Sequence, residues 1–166
     1  GGRLEDWLPA VPIDWDIPDR FRFEPSEIAT AEALASKGRY AAIYFGPKGG
    51  NTGCGHNRGG LWSPSDWRGV VEGLTERGLR CVAVGASYDK PYFEEFIAPL
   101  DLPLAETFIG QHGIGQTMAI LKRAKLCVSY QSGIGIMSSY FGVPTVLFWR
   151  PYGDTIIPGA TLVSFE

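Results

Sequence analysis

Two glycine-rich stretches carry the residues whose types and spacing could do chemistry. The first, residues 46 to 61, sets Lys48, His56 and Arg58 among seven glycines, with Asn51 and Thr52 as further polar side chains and Gly59 and Gly60 at its end. Glycine lets a backbone approach an anion and turn its N–H groups inward, while a Lys or Arg neutralises phosphate charge. The second, Gln131-Ser132-Gly133-Ile134-Gly135, follows the apolar run from Leu126 to Tyr130 and opens a further apolar stretch. A strand that ends in small residues and turns into a helix is a place where backbone N–H groups and the helix dipole hold a phosphate. The two stretches together predict a nucleotide or nucleotide-sugar ligand.

Other chemistries fit less well. The first stretch is not a P-loop, since no Gly-Lys-Ser/Thr follows at the required spacing, and it lacks Gly-x-Gly-x-x-Gly at a strand-to-helix turn. Cys54 and His56 lie two residues apart, but no second Cys or His cluster completes a zinc site, and no metal is expected. Ser132 follows a strand in a turn, yet Tyr130 and Gln131 precede it where a nucleophile elbow needs Gly-x-Ser-x-Gly. His112, in Gly110-Gln-His-Gly-Ile-Gly115, falls in a loop near the same end of the chain's strands, as a solvated or capping residue or as a ligand contact.

The elements that must position these loops follow from periodicity. Residues 1 to 25 carry Pro9, Pro12, Pro18 and Pro25 among Trp7, Trp15, Phe21 and Phe23, which predicts an extended arm or linker. Residues 26 to 166 read as one domain. Ser26 to Lys37 is helical in period and stops at Gly38. Short buried strands are predicted over 40 to 45, 79 to 84, 106 to 109, 126 to 130 and 145 to 149, with a sixth at 161 to 164. Helices fall between them: one opened by Ser63 as N-cap with Pro64 at its first position, a short aromatic one over 91 to 97, one over 115 to 123 with Ile114, Met118 and Leu121 on one side, and one over 135 to 141.

Strands alternating with helices predict an α/β fold of three layers, a Rossmann-like doubly wound parallel sheet of about six strands in the order 3-2-1-4-5-6. In that order strands one and four are neighbours and the chain reverses direction between them, which opens a crevice at their carboxyl ends. The loops bordering it are the two glycine-rich stretches.

Composition narrows the partners. The chain has 166 residues, 45% of them apolar, enough for one substantial core. Its formal charge of −3 leaves no basic excess, so nucleic acid is not an expected partner. Three cysteines without paired spacing suit a reducing compartment, and cytoplasmic placement is expected, free or peripheral at the inner face of the membrane. No stretch approaches the length of a membrane span. The start at Gly1-Gly2 and the stop at Glu166 just after a strand suit an excised domain or a processed product.

The order Phe45-Gly-Pro, Leu61-Trp-Ser-Pro-Ser-Asp-Trp67, Cys81-Val-Ala-Val-Gly85, Ser129-Tyr-Gln-Ser-Gly133 and Phe141-Gly-Val-Pro-Thr-Val-Leu-Phe148 resembles the C-terminal domain of the heptosyltransferase-like glycosyltransferases, family 9. The match covers about residues 40 to 151. The resemblance implies the donor-binding half of a GT-B glycosyltransferase, which binds a nucleotide-diphosphate sugar without metal or other cofactor. It also implies a further N-terminal, acceptor-binding domain that supplies the catalytic base, so this chain would bind donor and not turn over alone. Ser132 and Gly133 match the family's Asp-Ser/Thr-Gly-x-x-His turn, while Gln131 stands for the Asp and Ile136 for the His. Gly60 falls near the family's phosphate-binding Lys, and Arg58 is the nearest cation able to replace it. On this resemblance Lys48, Asn51, Thr52, His56, Arg58, Gly59, Gly60 and Gln131 through Gly135 hold the donor diphosphate, and Gly85, Ser87, Gln111, His112 and Gly113 hold base and ribose. The departures leave open another donor sugar, a catalytically degenerate interaction module, or a sugar-nucleotide epimerase.

Overall fold

The computed structural model describes residues 21–46, 64–130, 132–149 and 160–164. Lys48, Asn51, Thr52, His56, Arg58, Gly59, Gly60 and Gln131 lie outside the described residues.

The chain folds as α1 (Pro25–Ser36), β1 (Tyr40–Tyr44), α2 (Asp66–Glu76), β2 (Arg80–Gly85), a short helical turn α3 (Lys90–Tyr92), β3 (Leu104–Ile109), α4 (Ile114–Arg123), β4 (Leu126–Tyr130), α5 (Gly133–Tyr140), β5 (Thr145–Trp149) and β6 (Ala160–Ser164). Five parallel strands run in the order β3-β2-β1-β4-β5, and β6 pairs with the outer edge of β5, giving the doubly wound order 3-2-1-4-5-6. Strand β1 is central: Ile43 is level with Ala83 of β2 on one side and with Val128 of β4 on the other.

Because β1 is covered on both faces, its residues feed two cores. Tyr40, Ala42 and Tyr44 join Leu34 of α1 and Ile120 of α4 in one. Ala41, Ile43 and Phe45 join Trp67 and Val71 of α2 in the other. Trp67 has no exposed surface and meets Phe45, Tyr130 and Phe148 with ring centroids 4.8, 5.5 and 5.4 Å away, so one side chain ties α2 to three strands. Cys81 and Cys127 are buried thiols inside β2 and β4, as their strand patterns predict, and burial pushes the Cys127 thiol up to about 12.

Several boundaries differ from the sequence expectations. Helix α1 begins at Pro25, because Glu24 caps it and donates its own N–H to Glu27 Oε2 (2.8 Å). Helix α2 is capped at Ser65, and Pro64 accepts from the Trp67 N–H in the preceding turn, so Ser63 is not its N-cap. The expected helix over 91 to 97 is a run of one-turn pieces between Ser87 and Leu100, 3-10 at both ends with α and π turns within. Pro91 and Pro99 each remove a donor from that run.

Helix α5 sits close on the sheet, and Gly135 is what permits it. A Cβ there would lie 2.2 Å from Leu147 Cδ2 and 3.1 Å from Ser129 Cβ. Gly135→Ala is expected to cost about 1–3 kcal/mol through overpacking, read as a lowered urea midpoint with an unchanged slope.

Candidate functional site

The sheet topology places the carboxyl ends of β1 and β4 side by side, and a cavity of about 250 Å³ opens there. Tyr44 and Gly85 form its strand side, Met118 and Leu121 of α4 and Met137 of α5 its helical side, and Tyr88, His112 and Ile114 its mouth. Ser132, Gly133 and Ile134 line it from the start of α5.

The turn into α5 is built by hydroxyls. Ser132 is the N-cap and its Oγ accepts from the Gly135 N–H at 3.2 Å. Ser129 Oγ donates to the Tyr130 carbonyl (2.6 Å) and stands 2.9 Å from Ser132 Oγ, so the Ser132 hydroxyl donates to Ser129. The serine hydroxyl is therefore spent on the turn. Gly133 and Ile134 carry the first N–H groups of α5, which the helix itself cannot satisfy.

Two glycines here have no structural demand on them. Among the described residues, a Cβ on Gly113 or Gly133 would meet no atom within 4 Å beyond its chain neighbours and own helix, and neither has a positive φ. The same holds among the described glycines only for Gly69, which lies on the exposed side of α2. Gly113 caps α4 without a side chain, next to the cavity residues His112 and Ile114, and Gly133 opens α5 and lines the cavity with bare backbone. Gly110 differs: its φ is +70°, its N–H donates to the Gly85 carbonyl (3.0 Å), and a Cβ would stand 3.1 Å from Ser87 Cα.

His112 packs against Phe108 with ring centroids 4.7 Å apart and planes tilted by 42°, and its Nε2 is buried without a hydrogen-bond partner among the described residues. A buried ring nitrogen left unpaired costs about 1–3 kcal/mol. It lines the cavity, so a ligand polar group can satisfy it. Beside it Ile114 is 81% exposed and Tyr88 70%, two large apolar side chains facing water across the mouth. The expected inward face of Ile114, Met118 and Leu121 is thus divided: Leu121 is core, and Ile114 projects.

Of the residues expected at base and ribose, Gly85 and His112 line the cavity. Gln111 folds back, its amide donating to the Thr107 carbonyl at 2.8 Å. Ser87 lies in the turn that Gly110 packs against. Tyr44, Tyr88 and Ile114 have no signal in the sequence other than following strands or opening a helix. Among the described residues no three His, Cys, Asp or Glu side chains come together to hold a metal ion.

A larger groove, about 740 Å³, lies at the opposite end of β1, lined by Phe23, Arg39, Tyr40, Lys122, Arg123 and Lys125 among others. Its basic character has local causes. Lys122 and Arg123 complement the C-terminal dipole of α4, and Arg123 pairs with Glu32 at 2.8 Å.

No family model matches the sequence, and no curated protein does. Solved structures do match. A glycosyl transferase family 9 protein from Veillonella parvula superposes with a TM-score of 0.67 at 15% identity, over 87% of this chain and 42% of that one. ADP-heptose LPS heptosyltransferase II of E. coli gives 0.66 at 16%, over 86% and 44%. The fold is theirs. The E. coli heptosyltransferase WaaC, solved with ADP, gives 0.57 at 18%, over 83% and 41%. This chain thus spans about two fifths of each of these glycosyltransferases.

One acid stands behind the cavity wall. Asp89 is 4% exposed and accepts from the Tyr44 hydroxyl (2.9 Å) and the Ala86 N–H (2.8 Å). Burial raises its carboxyl above 3.8 even though both hydrogen bonds pull the other way. The folded state therefore holds that proton more tightly than the unfolded chain, and the cost of ionising it appears as pH rises above 3.8. The stability of wild type relative to Asp89→Asn is expected to fall as pH is raised from that value, measured by urea unfolding of both at several pH values.

Proposed function

We propose that this chain is the donor-binding domain of a glycosyltransferase, taking a nucleotide-diphosphate sugar into the crevice between β1 and β4. The observation that carries the reading is the cavity's make-up: a His112 Nε2 with no partner among the described residues, two exposed apolar side chains at the mouth, and bare backbone at the start of α5. A flat base fits between Ile114 and Tyr88 with a polar edge toward His112. The diphosphate then falls toward the N–H groups of Gly133 and Ile134, whose dipole favours negative charge. Likeness in fold to glycosyltransferases, one of them solved with ADP, supports the same reading.

In sugar transfer the bond from the anomeric carbon to the diphosphate breaks as the acceptor oxygen bonds that carbon. The leaving diphosphate gains charge, and the start of α5 together with Lys48 or Arg58 would stabilise it there. A second domain would bring the acceptor and the base that takes its proton. Cytoplasmic placement and the absence of a metal requirement belong to the same proposal.

Exposed Ile114, Tyr88 and Ile136 also favour a second reading, a donor site turned into a protein-interaction surface. Calorimetric titration with ADP, GDP, UDP and CDP, without added metal, separates the two. Saturable binding of one nucleotide is expected, with Arg58→Ala weakening it by about 1.5–3 kcal/mol and His112→Ala by about 1 kcal/mol or more. Silence across the panel from folded protein would select the interaction surface.

A further inference from the structure

Asp89 is the one charged side chain fully buried among the described residues. Among the described residues no cation accompanies it: its near neighbour Lys90 points to Glu94, 3.6 Å away at the surface. A buried carboxylate without a cation is costly to keep, and a neutral residue would serve an ordinary turn at lower cost. What an ionised carboxylate offers in addition is two acceptor oxygens with no donor of its own. Here the two oxygens go to different walls of the cavity. Oδ1 takes the hydroxyl of Tyr44, whose ring is part of the strand side, and Oδ2 takes the Ala86 N–H, at the start of the turn that carries Tyr88 to the mouth.

The backbone is fitted around this arrangement. A Cβ on Gly46 would lie 2.6 Å from Asp89 Oδ1 and 2.7 Å from the Tyr44 hydroxyl, so the chain leaving β1 passes directly over the pair. A Cβ on Gly85 would lie 3.2 Å from Oδ2. The chain leaving β2 is held as closely, and the Gly110 N–H fastens the chain leaving β3 to the Gly85 carbonyl. Three strand exits thus converge behind one carboxylate.

We infer that Asp89 is the positioning residue of this pocket, setting the distance between the Tyr44 wall and the Tyr88 rim that a nucleotide must fit. The inference rests on the nucleotide reading given above. Asp89 touches no ligand itself. It acts through Tyr44 and Ala86, and asparagine can replace it: the amide oxygen accepts from Ala86, and the amide N–H₂ donates to the Tyr44 oxygen. Alanine can do neither, and Tyr44→Phe removes the Tyr44 bond while keeping the ring.

The test uses the whole chain and four proteins: wild type, Asp89→Asn, Asp89→Ala and Tyr44→Phe. Each is titrated with ADP, GDP, UDP and CDP, and amide hydrogen exchange is followed at Ala86. The Ala variant is expected to lose about tenfold in nucleotide affinity and the Phe variant about threefold, with Ala86 exchange accelerated in the Ala variant. The Asn variant should bind and exchange as wild type does, a rescue that a loss of bulk packing would not show. If the Ala variant does not fold, the Phe and Asn variants decide the matter by the same criteria. Wild-type affinity in both the Ala and Phe variants, or an Asn variant as weak as the Ala variant, would overturn the inference. Silence of wild type toward all four nucleotides would instead overturn the nucleotide reading, and accelerated Ala86 exchange in the Ala variant would still support Asp89 as the tie between the two walls.

Discussion

Strand β1 has parallel partners on both edges and a hydrophobic core on both faces, and the rest of the molecule is arranged around satisfying it. A five-residue strand so enclosed leaves no side chain free for water, which is why Tyr40 to Tyr44 are all buried. The chain must then leave β1 for one face of the sheet and return to β4 from the other. No crossover can cover the point between their carboxyl ends. The cavity is a consequence of that constraint, and the fold alone determines where it lies.

What the cavity can hold depends on a second level of structure. Glycine is required at Gly135 and Gly110 by close contacts and, at Gly110, by a positive φ. Among the described residues Gly113 and Gly133 meet no such requirement, and Gly133 borders the open space. Hydroxyls follow the same division. Ser129 and Ser132 are consumed in capping α5, whereas the His112 ring nitrogen is left without a partner among the described residues, beside two exposed apolar side chains.

Much of this is legible from sequence because it is local. Short apolar runs bounded by glycine specify buried parallel strands, and their alternation with helical periods specifies the doubly wound order. The strand exits at Gly85 and Gly110 follow from the same pattern, and so do His112 and the Ser132-Gly133 turn at the carboxyl ends of the strands. The start of α2 shifted from Ser63 to Ser65 because both serines precede an apolar period, and only the turn closed by Pro64 distinguishes them. Ile114 fits the apolar face of α4 by spacing, yet it sits at the first helical position, beyond the edge of the core. The bond from Tyr44 to Asp89 spans 45 positions, and no periodicity in either neighbourhood announces it.

The proposed nucleotide site lies at the carboxyl ends of β1 and β4. Backbone amide chemical shifts, followed by NMR while a nucleoside diphosphate is added, test it most directly. Saturable shifts at Ala86, His112, Gly113, Gly133 and Ile134, with Arg39 and Lys122 to Lys125 at the other end of the sheet unmoved, are the predicted result. Shifts centred on the basic groove at that other end, or no saturable shift anywhere in folded protein, would contradict it.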